Sequence, residues 1–180
     1  MPDVTFDTVL INGSVGTGKT TAAEKLGDEL QRSGIPGAVI DVDWLRRSWP
    51  APHGDPFRTA LALENTRAIA SNFRRAGALV LVIATVIESR DELHRNIAAA
   101  SAENALHIRL TAAPDVVLAR LTARHDDDED ALRWHARRHP ELARTLDGAG
   151  FSDDVRIDTT ARAATDIAQD ILARLIGSDH

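Results

Sequence analysis

Eight consecutive residues, Gly13-Ser14-Val15-Gly16-Thr17-Gly18-Lys19-Thr20, constrain this chain more than any other stretch. They complete the pattern G-x-x-x-x-G-K-[ST], a loop whose backbone N–H groups wrap the phosphates of a nucleotide. The flanks suit the motif: an apolar run, Val9-Leu10-Ile11, precedes it, and a helix-forming stretch from Thr20 to Gln31 comes after it. Glycine lets the backbone turn tightly and approach phosphate oxygens, and the next helix points its positive end at the same place. Lys19 is expected to reach the β- and γ-phosphates, and the Thr20 hydroxyl to hold Mg²⁺. The expected nucleotide-binding set is Gly13, Ser14, Val15, Gly16, Thr17, Gly18, Lys19, Thr20 and Thr21. Of 21 basic residues only Lys19 and Lys25 are lysine. Arginine serves nearly everywhere else, which singles out the position where a compact ammonium on a flexible stem is needed.

At 180 residues the chain is long enough for one domain with a proper core, spanning 1–180. It has no cysteine, hence no disulfide framework, thiolate metal site or cysteine nucleophile. Met1-Pro2-Asp3 does not begin a secretory signal, and the longest apolar stretch, residues 78–87, is too short to span a bilayer. A soluble, cytoplasmic protein is expected. The net charge of −6 and an aromatic content of 4% argue against a general nucleic-acid binder.

Apolar strand-like runs at 8–12, 38–41, 79–86, 105–110 and 155–158 alternate with helical patterns at 19–33, 58–76, 91–101, 114–124, 129–146 and 163–176. Gly34 and Gly77 end two of these helices, and Pro114 suits a first turn. This alternation predicts an α/β fold: a three-layer α/β/α P-loop NTPase with a five-stranded parallel sheet, helices on both faces and a helical lid at about 120–146.

Asp41 and Asp43 fall where strand two ends, the edge at which open α/β sheets bind ligands. They are expected to serve different groups. Asp41 would assist the Mg²⁺ shell through water, and Asp43 would orient or deprotonate an attacking hydroxyl. The plainer alternative has Asp43 capping a helix that begins at Trp44. In the second long helix, Arg67 is the better candidate for an anionic substrate group. Arg120 and Arg124, four apart on one helix face, would close over the phosphates and stabilise transferring charge. Arg133, Arg137 and Arg138 form a second arginine face, open to either substrate or solvent, beside the acidic run 126–130. His135 and His139 lack the acidic partner of a zinc helix.

The phosphate loop, Asp41-Val42-Asp43-Trp44-Leu45-Arg46, Glu64-Asn65-Thr66-Arg67 and Ala84-Thr85-Val86-Ile87-Glu88-Ser89-Arg90 together resemble adenylyl-sulfate kinase in order and spacing. That family has D-G-D-N-[IV]-R, E-N-x-R-R and S-P-Y-R at comparable places. The chain is also similar to the wider group of small P-loop kinases that includes chloramphenicol phosphotransferase and the gluconate and shikimate kinases. The resemblance implies a phosphotransferase using ATP and Mg²⁺, with Asp43 near the accepting hydroxyl. It also implies that Arg46, Asn65 and Arg67 help bind the substrate, and Asp41 is expected beside them. Val42 and Trp44 replace the family's glycine and asparagine, and the lid reads differently from Arg120 onward. That bulk changes the cleft floor and argues against adenylyl sulfate as acceptor.

The leading expectation is therefore an ATP-dependent kinase with a nucleoside triphosphate and a small hydroxyl-bearing acceptor as partners. A nucleotide-dependent binding module or ATPase with no small acceptor is the alternative, and a macromolecular acceptor is disfavoured by the acidic balance. A homodimer is left open.

Overall fold

In the computed structural model, which describes residues 3–177, the apolar run before the glycine loop is strand β1 (Thr8–Gly13). Residues 1–2 and 178–180 of the expected 1–180 domain lie outside the described residues. The loop feeds helix α1 (Lys19–Arg32), then β2 (Gly37–Asp41), the short α2 (Val42–Leu45), α3 (Thr59–Arg75) and β3 (Val80–Ala84). Next come α4 (Arg90–Ala100), β4 (Ala105–Thr111), α5 (Pro114–Arg124), α6 (Glu129–Asp147), β5 (Val155–Asp158) and α7 (Ala164–Leu175). The five strands pair in parallel in the order β2-β3-β1-β4-β5. Thr8 of β1 stands opposite both Leu81 and Ala105, so the phosphate loop leaves the sheet at its centre.

Side chains alternate across the sheet, and each face has its own core. Val9, Ile11, Val82 and Ile108 pack with Leu26 and Leu30 of α1 and Ile171 and Leu175 of α7. Leu10, Leu81 and Ile83 pack on the opposite face with Ala62 and Ala70 of α3 and Ala100 of α4. Each such leucine or isoleucine contributes about 1.5–3 kcal/mol on burial. In α1 the buried Ala22, Ala23, Leu26 and Leu30 follow helical spacing, which fixes the stripe it presents to the sheet. The α/β/α architecture read from the sequence is the one observed, with boundaries shifted by a few residues.

β4 departs from the apolar pattern. Its positions facing away from α1 and α7 carry His107 and Arg109, each 3% exposed. Arg109 is held by the Leu146 carbonyl (2.9 Å) and Asp147 (2.8 Å) at the end of α6. His107 Nε2 lies 3.2 Å from Asn12 Nδ2. The Asn12 amide oxygen already accepts from the N–H groups of Gly13 (2.7 Å) and Ile87 (3.0 Å), so its amide nitrogen donates to the imidazole. Burial pulls the His107 pKa below its ordinary value, opposed by Asp153 and Asp154 and reinforced by Arg109. No described helix is long and apolar enough to cross a membrane.

Candidate active site

Two glycines shape the phosphate loop. Gly13 has φ 151°, and a Cβ there would stand 2.6 Å from the Leu110 carbonyl oxygen. Gly16 has φ 79°, and its Cβ would stand 2.7 Å from Val117 of α5. Any side chain at either place would strain the backbone and push the loop off its supports. Ser14 and Thr17 turn inward: the Thr17 hydroxyl donates to the Ser14 carbonyl at 2.8 Å, and Lys19 Nζ reaches the same carbonyl at 3.2 Å.

The outer surface of the loop lines a cavity of about 640 Å³ at the C-terminal edge of the sheet. Val15, Gly16, Gly18, Lys19 and Thr20 come from the loop and the start of α1; Asp41, Asp43 and Arg46 come from the end of β2, from α2 and from its C-terminal cap. The Thr20 hydroxyl donates to Asp41 Oδ2 at 2.6 Å, while Asp41 Oδ1 accepts from the Asp43 N–H at 2.9 Å. Asp41, not Asp43, is thus the helix cap, and the helix starts at Val42 rather than Trp44. The chain leaves the strand at Asp41, and α2 turns Asp43 onto the same cavity, so both aspartates face one space. Asp43 is the more open of the two and lies 3.6 Å from Arg46 Nε. Burial lowers the Lys19 pKa, while Asp43 and Asp41 draw it back up.

The other expected site residues divide. Arg124 lines the cavity. Arg120 does not: it is drawn aside to Thr159, with bonds of 3.0 and 2.7 Å to its hydroxyl and carbonyl, and of 3.4 Å to the Gly16 carbonyl. Thr159 also donates to the Thr17 carbonyl at 3.0 Å, so Arg120 braces the loop from outside the cavity. Asn65 donates to the Leu45 carbonyl at 2.7 Å and ties α3 to α2; neither it nor the exposed Arg67 lines the cavity. Thr21 is exposed, one residue past the lining.

The cavity is also lined by Phe57, Glu88, Glu92, Asn96, Trp134, His135, Arg138 and Leu142. Arg138 pairs with Glu88 at 3.0 Å, joining α6 to the segment after β3. Of the second arginine face only Arg138 reaches the cavity; Arg133 pairs with Glu129 and Asp130 on its own helix. His125 and His135 stack at 4.6 Å, pinning the α5–α6 turn. Sequence reasoning assigned no role to Phe57, Glu88, Glu92, Asn96 or Leu142. Glu88 lies within the segment 84–90 that carries part of the resemblance, but nothing in its spacing signals that α6 returns to meet it.

A model of the family described as adenylylsulphate kinase matches residues 6–125, two thirds of the chain. The chain belongs to the adenylylsulphate kinase family. It is a P-loop kinase, a phosphotransferase. A solved structure of the Deinococcus radiodurans tunicamycin resistance protein is similar at 22% identity and TM-score 0.63, covering 93% of this chain and 94% of that one. A gluconokinase from Sinorhizobium meliloti 1021 is similar at 19% identity and TM-score 0.60, covering 93% and 90%. The APS kinase of Mycobacterium tuberculosis, solved with AMPPNP and APS, is similar at 21% identity and TM-score 0.55, covering 93% and 96%. At these identities the likeness speaks for the fold. No curated protein matches the chain. The family match stops at the turn before α6, so the helix that closes the cavity lies outside it.

Proposed function

We propose that this kinase transfers the γ-phosphoryl group of Mg-ATP to a hydroxyl of a small acceptor held between α2, α4 and α6. The observation that carries the reading is the convergence of Lys19, the Thr20–Asp41 pair and Asp43 on one cavity. Thr20 and Asp41 offer a hydroxyl and a carboxylate 2.6 Å apart, hard oxygen donors that fit a magnesium ion. That ion, when bound, would neutralise phosphate charge. Lys19 binds the β- and γ-phosphates, and Arg124 reaches them from the end of α5. Asp43 orients the acceptor hydroxyl and takes its proton. The acceptor oxygen bonds to the γ-phosphorus, the bond to the β–γ bridging oxygen breaks, and ADP leaves with the electron pair.

Arg120 acts in this scheme through the loop it braces, and Asn65 through α2. The unit comprises the whole chain, with a lid at about 120–146, and its dependence on ATP fits a cytoplasmic location. Bulk at Val42, which lines the cavity, together with an exposed Arg67, favours an acceptor other than adenylyl sulfate; Trp44, expected to change the cleft floor, is instead exposed and outside the lining. The test is a melting-temperature screen with Mg-ATP or Mg-GTP and panels of nucleosides, sugars, antibiotics and sulfate esters, followed by ADP-release assays on the hits. Ligands of the native state raise the melting temperature. An acceptor that both stabilises the protein and accelerates ADP release supports the reading; nucleotide binding with no acceptor-dependent release across the panel supports a nucleotide-binding module.

A further inference from the structure

One buried titratable side chain has no part in phosphoryl transfer as proposed. His139 of α6 is 7% exposed, and its Nδ1 lies 2.9 Å from Ser14 Oγ and 3.1 Å from the Val15 carbonyl oxygen. A carbonyl oxygen only accepts, so contact with Val15 puts the proton on Nδ1, and Ser14 Oγ accepts the other branch. Ser14 is 4% exposed, and its carbonyl collects the Thr17 hydroxyl and the Lys19 ammonium. One imidazole thus grips two consecutive loop residues, the first of which also anchors Lys19. The next residue back, Arg138, pairs with Glu88 in the segment after β3. The grip comes from a helix outside the residues that match the family.

We propose that His139 is a positioning residue for the phosphate loop. It turns the Val15 carbonyl toward α6 and holds the Ser14–Val15 turn in the form whose N–H groups receive phosphate. The lid helix and the nucleotide site are thereby coupled, since shifting α6 frees a carbonyl and a hydroxyl inside the loop. This rests on the reading of the loop as a nucleotide site.

The test is titration calorimetry of Mg-ADP against wild type, His139→Ala, His139→Asn, His139→Gln, Ser14→Ala and the Ser14→Ala/His139→Ala double variant. An asparagine amide places its nitrogen near the Nδ1 position; a glutamine amide reaches toward Nε2. Leaving two buried loop groups unpaired is expected to weaken Mg-ADP about tenfold in His139→Ala. Asparagine restores affinity to within about threefold and glutamine does not. The two alanine changes combine less than additively. Unchanged affinity in His139→Ala, equal rescue by glutamine, or strict additivity would overturn the proposal. Should His139→Ala fail to fold, the contrast between asparagine and glutamine decides. No Mg-ADP binding by wild type overturns the nucleotide reading as well, which separates the two failures.

Discussion

Two parts of one cavity's lining, the loop after β1 and the face of α6, are held by different means. The loop is a backbone object. Its curvature comes from Gly13 and Gly16, which admit no Cβ, and its contacts run through carbonyls, with a few hydroxyls and one ammonium. The α6 wall is a side-chain object: Trp134 is 62% exposed, and an ion pair between Arg138 and Glu88 ties the helix to the segment after β3. Backbone recognition of phosphate depends on few residue identities, so it is shared across a family. Side-chain recognition changes with every substitution, and the family match ends before α6 begins. The difference teaches that nucleotide chemistry here is general and that acceptor choice belongs to this chain.

Substitutions at the loop wall should strike chemistry hardest. Lys19→Ala removes the ammonium proposed to bind the transferring group, and turnover is expected to fall by about 10³-fold or more, measured as acceptor-dependent ADP release. Asp43→Asn keeps the shape and loses the proposed proton acceptor. A fall of about 10²-fold in kcat is expected, with ATP affinity within about threefold of wild type; an unchanged kcat would remove Asp43 from the proposed role. Arg124→Ala and Arg120→Ala should separate although they sit one turn apart. The first lowers kcat by about 10²-fold. The second chiefly lowers stability, by about 1–2 kcal/mol in denaturant titration, because it removes the guanidinium that bridges Thr159 and the Gly16 carbonyl. At the other wall, Trp134→Ala is expected to raise the acceptor KM about tenfold while kcat stays within threefold. A large kcat loss there would erase the contrast between the walls.

The smallest effect concerns pH. His107 is buried with its pKa lowered, chiefly by desolvation. Below the ordinary histidine pKa of about 6.5 the unfolded chain takes up a proton that the folded one refuses, so stability is present above that value and falls as pH drops through it. In chemical denaturation between pH 7 and pH 5, His107→Gln should lose about 1 kcal/mol less than wild type. An identical slope in the two proteins would show that other groups carry the acid sensitivity.

The parts of the molecule legible in the sequence are those governed by local rules. The strand, glycine loop and helix at 8–32 come from an apolar run, backbone sterics and helical spacing. Strand-helix alternation suffices for the parallel sheet. What escaped were relations between distant segments. Spacing of four placed Arg120 and Arg124 on one helix face, but Thr159, 39 residues away from Arg120, decided that only Arg124 would face the cavity. Asn65 has the family's position, yet the Leu45 carbonyl claims its amide. The cap falls at Asp41 rather than Asp43, because the strand and helix abut with no intervening residue. Arg109, polar on a central strand, is satisfied by the end of α6, a partner no local pattern announces.

The central claim is that Lys19, Thr20, Asp41 and Asp43 face one cavity in order to move a phosphoryl group onto a hydroxyl. Phosphorus NMR of the purified protein with Mg-ATP and the acceptors that raise its melting temperature tests this most directly. The account predicts ADP and a new phosphomonoester resonance rising in equal amounts. ADP accompanied only by inorganic phosphate, with every such acceptor, would contradict it.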